Sequence, residues 1–256
     1  MDDYYSRFNG IGRLYSTQGL NTLKQSHVCV IGIGGVGSWV VEALARSGVG
    51  QITMIDMDDI CVSNVNRQLH AIQGQIGRSK IESMAERVLA INPDCNVQAR
   101  HEFFSKNTQD TILDIGFDFV VDAIDSAYKK CLLLSSCKER KIPIVTVGGT
   151  GGRQDPSLIQ ICDLTKSYND RLLHKVRVTL RQKFNFPRNL KKKFKIDCVF
   201  SPEPVLYPQE DGSVCEKKNN QSVRLDCESG YGTASFVTGT FGFLAASVVI
   251  KKLTLA

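Results

Sequence analysis

Residues 27–39 constrain the fold more than any other stretch, because an apolar run ending at Ile31 passes directly into Gly32-Ile-Gly34-Gly35-Val-Gly37. The run reads as a strand buried in a sheet, and from residue 36 to residue 47 the apolar positions recur at helical spacing. Gly32, Gly34 and Gly37 fit G-x-G-x-x-G, whose glycines permit a sharp turn, close backbone approach to a phosphate, and tight helix-on-strand packing. A phosphate then rests on the unpaired N–H groups of a helix N-terminus. Glycine-rich turns of this kind also occur without a ligand, so the motif needs support. It comes from Asp56 and Asp58, which close the next apolar strand near the distance at which nucleotide-binding folds place a ribose-gripping carboxylate. A dinucleotide and ATP are equally compatible with these residues.

Downstream, strand and helix patterns alternate. A helix opens after Gly77-Arg-Ser79-Lys80, with Ser79 as its N-cap, and stops at Asn92-Pro93. A strand over 96–103, a short helix over 107–115, and a buried strand over 117–124 follow; the last delivers Asp122 and Asp125 to its end. A helix over 127–140 and a strand over 143–147 complete the series. Such alternation predicts an α/β, Rossmann-like, doubly wound and mainly parallel sheet. Residues 158–163 are expected to add an antiparallel strand, 197–208 to be extended around three prolines, and 209–226 to form a polar loop. Residues 234–250 are apolar but carry Ser, Thr and Gly, and fall short of the roughly 20 residues of a membrane span; a packed C-terminal helix is expected. The organisation that results is an N-terminal arm and helix (1–26), an ATP-binding Rossmann-like domain (27–152), and a C-terminal part (153–256) that completes the same globule.

Residues 1–5 are acidic and polar, unlike a signal peptide, which predicts a cytoplasmic protein. The nine cysteines form an odd set without C-x-x-C spacing, so neither a disulfide framework nor a zinc site is expected. Most read as small buried apolar residues. The charge is uneven: residues 171–195 hold ten cations and no carboxylate against a chain total of +6, leaving −4 for all the rest. Arg171, Lys175, Arg177, Arg181, Lys183, Lys191, Lys192 and Lys193 lie there, interleaved with Phe184, Phe186 and Phe194, a footprint suited to phosphate-backbone contact and base stacking. Charge alone does not separate RNA from DNA. Arg7 and Arg13 stand far upstream, either as solvated charges or as phosphate ligands, within the chain or across a dimer.

The polar groups expected at the strand ends are Asp56, Asp58, Asp122 and Asp125, the amides Asn64 and Gln68, and the cations Arg67 and Lys80. No Ser-His-Asp or Cys-His set accompanies them. This inventory suits phosphoryl or adenylyl transfer, where Mg²⁺ and cations hold phosphates, better than hydride transfer.

Taken in order, Gly32-x-Gly34-Gly35-x-Gly37, Asp56-x-Asp58, Ser63-Asn64-x-x-Arg67-Gln68, Gly77-x-x-Lys80, Asn92-Pro93 and Asp122-x-x-Asp125 resemble the ubiquitin-activating-enzyme superfamily, which includes the thiamine- and molybdopterin-pathway adenylyltransferases. A further set, Arg13-Leu-Tyr15, residues 148–152, 197–201 and Tyr207-Pro208, is similar to the branch of that superfamily that dehydrates threonylcarbamoyladenosine in tRNA. That resemblance implies a homodimer that adenylylates the threonyl carboxylate of the modified tRNA with ATP and cyclises it. By the same likeness the glycines line ATP, Asp56 and Asp58 lie by the ribose, Asn64 and Gln68 lie near the phosphates that Arg67 and Lys80 hold, Asp122 helps bind the cofactor, and Asp125 handles Mg²⁺. Arg13 is the finger across the dimer, with Arg7 as the other candidate. A monovalent cation and sulfur-transfer protein partners stay open. The alternative is an adenylyltransferase activating the C-terminus of a ubiquitin-like sulfur carrier. Zinc knuckles typical of those relatives are absent from the sequence, and Cys198 and Cys227 are expected to be structural.

Overall fold

The apolar run forms β1 (His27–Ile31), all five residues of which are buried. Its side chains alternate as a strand requires: Val28 and Val30 enter the core on one face, Cys29 and Ile31 the core on the other. On one side β1 pairs in parallel with β2 (Gln51–Asp56), and β2 with β3 (Asn96–His101). On the other it pairs in parallel with β4 (Phe119–Asp122), followed by β5 (Ile144–Val147). Two later strands extend the sheet. β6 (Gln160–Asp163) is antiparallel to β7 (Asp197–Phe200), and β7 is parallel to β5, which gives the order β3-β2-β1-β4-β5-β7-β6. The chain therefore winds away from β1 in both directions, and a crevice opens between the carboxyl ends of β1 and β4, where the winding reverses. The doubly wound, mainly parallel fold and its antiparallel extension are as the sequence predicts.

This computed structural model describes residues 3–209, 211–216 and 231–255. Most of the loop expected over 209–226, and Cys227, lie outside the described residues. A separate two-stranded ladder joins β8 (Tyr207–Pro208) to β9 (Val214–Cys215).

Helices cover both faces. One is packed by α2 (Gly37–Arg46), α3 (Lys80–Ile91) and α7 (Ser235–Thr254), which bring Val40, Leu44, Met84, Phe241 and Val249 onto the sheet. The other is packed by α4 (Gln109–Leu113), α5 (Ala127–Arg140) and α6 (Arg171–Lys183), through Leu113, Leu133, Leu134, Val176 and Leu180. α7 has the length of a membrane span, with a mean hydropathy of 1.4, but 56% of its 18-residue apolar window is buried within the molecule, and it packs as a core helix. Cys29, Cys131, Cys137 and Cys198 lie in the second core, where burial pushes every thiol up, that of Cys131 to about 12. Thiols held protonated in this way are apolar filling and not nucleophiles.

The N-terminal segment is more ordered than an arm. α1 (Asp3–Gln25) is helical throughout except at Ser16, whose φ of 70° breaks the run. The Ser16 hydroxyl accepts from the Gly19 N–H at 3.1 Å and caps the second half, the only part that the residue pattern predicts as helix. Tyr4 and Phe8 anchor the first half by burial.

Candidate active site

The glycine turn leaves β1 at the crevice, and steric contact explains two of its glycines. Gly32 has φ +92°, and a Cβ there would stand 2.8 Å from the Ala123 carbonyl oxygen; a Cβ on Gly37 would fall 1.8 Å from the carbonyl oxygen of Gly32. The turn is thus pressed between the end of β4 and the start of α2, with no room for a side chain. Asp56 fixes it from the side of β2: one carboxylate oxygen accepts the Ile33 N–H at 2.6 Å, the other the Asp58 N–H at 2.9 Å.

Around this floor the chain builds a cleft of about 420 Å³. Gly32, Gly34, Gly35, Asp56, Asp58, Asn64, Arg67, Gln68, Lys80 and Asp125 all line it. Lys80 opens α3 with only 6% of its surface exposed, and its Nζ donates to Asp58 at 2.8 Å. The Arg67 guanidinium donates to the Ser63 carbonyl at 2.7 Å and to the Asn66 side chain at 2.9 Å, while its own carbonyl accepts from the Trp39 indole at 3.0 Å and the Thr238 hydroxyl at 3.2 Å. Asn64 sets the turn that carries Arg67, since its side-chain oxygen accepts from the Cys61 N–H and its carbonyl from the N–H groups of Arg67 and Gln68. Behind Gln68, His70 is buried and pairs with the Gln68 side chain at 3.1 Å; burial, then the charge on Lys80, push this imidazole down to about 4. It is neutral at physiological pH, so the cations of this corner are Arg67 and Lys80.

The two carboxylates of Asp122-x-x-Asp125 part company. Asp125 is exposed in the cleft and makes no hydrogen bond or ion pair to any described residue. Asp122 does not reach the cleft. It is fully buried, with the Lys130 ammonium at 3.0 Å, the Thr146 hydroxyl donating at 2.6 Å, and the Ile124 N–H at 3.2 Å. Lys130 has no exposed surface either, and also donates to the Asp122 carbonyl and to Thr146 at 3.2 Å. Asp122 therefore braces the loop that presents Asp125, and the residue pattern misassigns it to cofactor contact. Asp122 is the last residue of β4 and Asp125 lies in the loop beyond it, and the partner lysine on α5 marks which of the two is buried.

Gly148, Gly149 and Thr150, from the glycine-rich stretch 148–152, also line the cleft, whereas Phe103 and Thr238, from a loop and α7, carry no local signal in the sequence. Lys129 does carry one, because it stands one helical turn after Asp125; its ammonium sits 4.1 Å from the Phe103 ring centroid at the rim. No cysteine, serine or histidine lines the cleft among the described residues. Its chemistry is a cradle of backbone N–H groups, the cations Arg67 and Lys80 with Lys129 at the rim, and the unpaired carboxylate of Asp125, which can stabilise charge on a polyphosphate and includes no cysteine, serine or histidine nucleophile.

Outside the cleft, Arg13 is exposed on α1, and Arg7 is spent on an ion pair with Asp3 at 2.6 Å. α6 buries Leu173, Val176 and Leu180 against α5 and turns Arg171 and Lys175 outward. Arg177 and Arg181 are half-buried, the first bonded to Ser167 and the second 4.9 Å from the Phe194 ring centroid. Lys183, Lys191, Lys192 and Lys193 are exposed. The interleaved phenylalanines do not form a stacking surface, contrary to the sequence-based expectation. Phe186 and Phe194 are each 3% exposed with ring centroids 4.9 Å apart, and they anchor the basic segment to the core.

A doubly wound sheet with a glycine turn, cations and an unpaired carboxylate at its switch point places the chain in the class of nucleotide-binding α/β proteins. The chain belongs to the ThiF family, whose profile matches residues 5–256. A tRNA threonylcarbamoyladenosine dehydratase of Haemophilus influenzae is 52% identical over 253 residues, covering 99% of this chain and 95% of the relative. The crystal structure of the Escherichia coli tRNA N6-threonylcarbamoyladenosine dehydratase in complex with ATP superposes with a TM-score of 0.89 at 43% identity, covering 100% of this chain and 96% of that one. Similarity to a molybdopterin-synthase adenylyltransferase of Salmonella typhimurium is weaker and shorter, 31% identity over 52% of this chain.

Proposed function

We infer that this protein is an ATP-dependent dehydratase that cyclises threonylcarbamoyladenosine in tRNA. One observation carries the reading: the likeness to the dehydratases spans the chain from end to end, basic segment included, while the likeness to the carrier-protein adenylyltransferase covers about half. ATP lies with its phosphates on the N–H groups of the glycine turn, and Arg67 and Lys80 take the negative charge. Lys80 has to exchange part of its bond to Asp58 for a phosphate oxygen, a small rearrangement within one side chain's reach.

The threonyl carboxylate of the nucleoside attacks the α-phosphate, forming a mixed anhydride and releasing pyrophosphate. A nitrogen of the same modification then attacks the acyl carbon, the ring closes, and AMP leaves with the oxygen that the nucleoside loses. No side chain becomes covalently attached, in keeping with a cleft that has no cysteine, serine or histidine nucleophile among the described residues. The protein supplies positioning and fixed positive charge, which act where charge builds up on the α-phosphate. A bound Mg²⁺ would neutralise phosphate charge; Asp125 fits it, as an unpaired carboxylate at the mouth of the cradle with the phosphates to complete the coordination. Arg13, exposed and not among the residues that line its own cleft, serves the site of a second copy in a homodimer, where a guanidinium would reach the β- and γ-phosphates. The outward cations Arg171, Lys175, Lys183, Lys191, Lys192 and Lys193 hold the tRNA backbone.

The test is incubation with ATP, Mg²⁺ and threonylcarbamoyl-modified tRNA, with AMP release measured beside the nucleoside mass. Loss of one water from the nucleoside, stoichiometric with AMP, is expected. Pyrophosphate exchange driven by a ubiquitin-like carrier and not by modified tRNA would overturn the reading.

A further inference from the structure

A second cavity, of about 610 Å³, lies beside the cleft. The two share a wall at the start of α6: Leu172 faces the nucleotide cleft, while Arg171 and His174 face the second cavity. Asp170 joins them. It lines the second cavity, and its carboxylate accepts the N–H of Gly149, a cleft residue, at 2.8 Å and the N–H of Leu173 at 2.8 Å. Arg153, 3% exposed, secures the same wall, with its Nε on the Gly149 carbonyl at 2.8 Å and its guanidinium 3.6 Å from Asp170. The second cavity is therefore separated from the cleft by the Gly148–Gly149 turn and the start of α6, both held by Asp170 and Arg153.

The lining offers a nucleotide aromatic faces and cations, beside the carboxylates of Glu216 and of Asp170, the latter engaged by two backbone N–H groups and Arg153. Tyr168 packs edge-on against Phe200 at 5.5 Å and keeps half of its surface exposed, which leaves an aromatic face open. Arg171 stacks its guanidinium 5.1 Å from the centroid of the Tyr207 ring, and Arg177 and His174 add donors deeper along α6. Aromatic faces beside arginines take a nucleobase by stacking and its phosphate by charge, and unpaired loop bases are what sequence-reading proteins take out of RNA. The lysines at 191–193 are not part of this lining.

We propose that the second cavity is the seat of the target nucleotide of the tRNA loop, an adenosine whose base stacks on Tyr168 and whose phosphate meets Arg171, so that its modified arm crosses the Gly148–Gly149 turn into the ATP cleft. This rests on the proposed dehydratase function and adds where the substrate nucleoside binds.

The experiment compares Tyr168→Ala, Tyr168→Phe and Arg171→Ala with the wild-type chain on two substrates, full modified tRNA and a short modified anticodon stem-loop, with ATP affinity measured by calorimetry. Tyr168→Ala and Arg171→Ala should each raise KM for both RNAs about tenfold and leave ATP affinity within about twofold; Tyr168→Phe should restore KM. A Lys191→Glu, Lys192→Glu, Lys193→Glu variant should weaken the full tRNA more than the stem-loop. Unchanged KM in both cavity variants would overturn the assignment while the dehydratase reading stands. A wild-type chain inactive on both RNAs would overturn the function itself.

Discussion

The nucleotide cleft and the basic face of α6 use charge in opposite ways. In and under the cleft most charged groups are tied to partners: Lys80 to Asp58, Lys130 to Asp122 and Asp56 to two backbone N–H groups, while Lys129 rests on the Phe103 ring and Asp125 bonds to no described residue. On the basic segment Phe186 and Phe194 face inward, the arginines Arg171, Arg177 and Arg181 rest on side chains of the fold, and the lysines face outward into water. The first arrangement suits a small ligand whose phosphates must be held to within fractions of an ångström. The second suits a polyanion that is attracted from a distance and released as salt rises.

If that contrast is right, disturbing the buried network should cost far more than disturbing the face. Lys130→Met leaves Asp122 charged and uncompensated in a dry site, and chemical denaturation should show a loss of about 3–5 kcal/mol. A loss below 1 kcal/mol would mean that the pair is not the brace it looks like. Asp125→Ala removes a group with no structural bonds, so stability should hold while AMP formation falls about 10²–10³-fold, in the range seen when a transition-state electrostatic partner is deleted; tRNA binding, measured by filter retention, should persist.

His70 tests the same network by pH. Its folded value of about 4 lies below the ordinary 6.5, so below pH 6.5 the unfolded chain binds a proton that the folded chain resists. Stability should therefore fall as pH drops from 6.5 towards 4, by up to about 3 kcal/mol, and His70→Gln should flatten this slope in denaturation curves at pH 7 and pH 5. A variant with the wild-type slope would assign the acid sensitivity elsewhere. The smallest effect belongs to the face. Lys191→Glu, Lys192→Glu and Lys193→Glu together should leave stability and ATP binding untouched and make the salt dependence of tRNA affinity shallower by about three in log–log slope. A steeper or unchanged slope at low salt would remove these lysines from the interface.

The cleft was legible where chemistry and local geometry coincide. Glycine turns, strand-end carboxylates and the start of α3 are encoded within a few residues of one another, and ten of the assigned residues do line one cavity; the Ser79 hydroxyl expected to cap α3, however, makes no capping bond and is buried without a partner among the described residues. What stayed hidden depends on contacts between distant segments. Asp122 and Asp125 look alike until Lys130 and Thr146 are brought beneath one of them. The phenylalanines of 184–194 look like stacking platforms until the periodicity of Leu173, Val176 and Leu180 shows which side of α6 faces the core. The first half of α1 contains Gly10 and Gly12, poor helix formers, and is held helical by Tyr4 and Phe8 packing below it.

The bond from Trp39 to the Arg67 carbonyl has one more result. Trp39 is the single tryptophan of the chain, its ring lies edge-on to Phe243 at 5.8 Å, and its indole N–H reports directly on the backbone of a residue that lines the nucleotide cleft. Its fluorescence is consequently an intrinsic, label-free optical readout of that cleft, and stopped-flow emission should follow ATP arrival in real time without any dye or mutation.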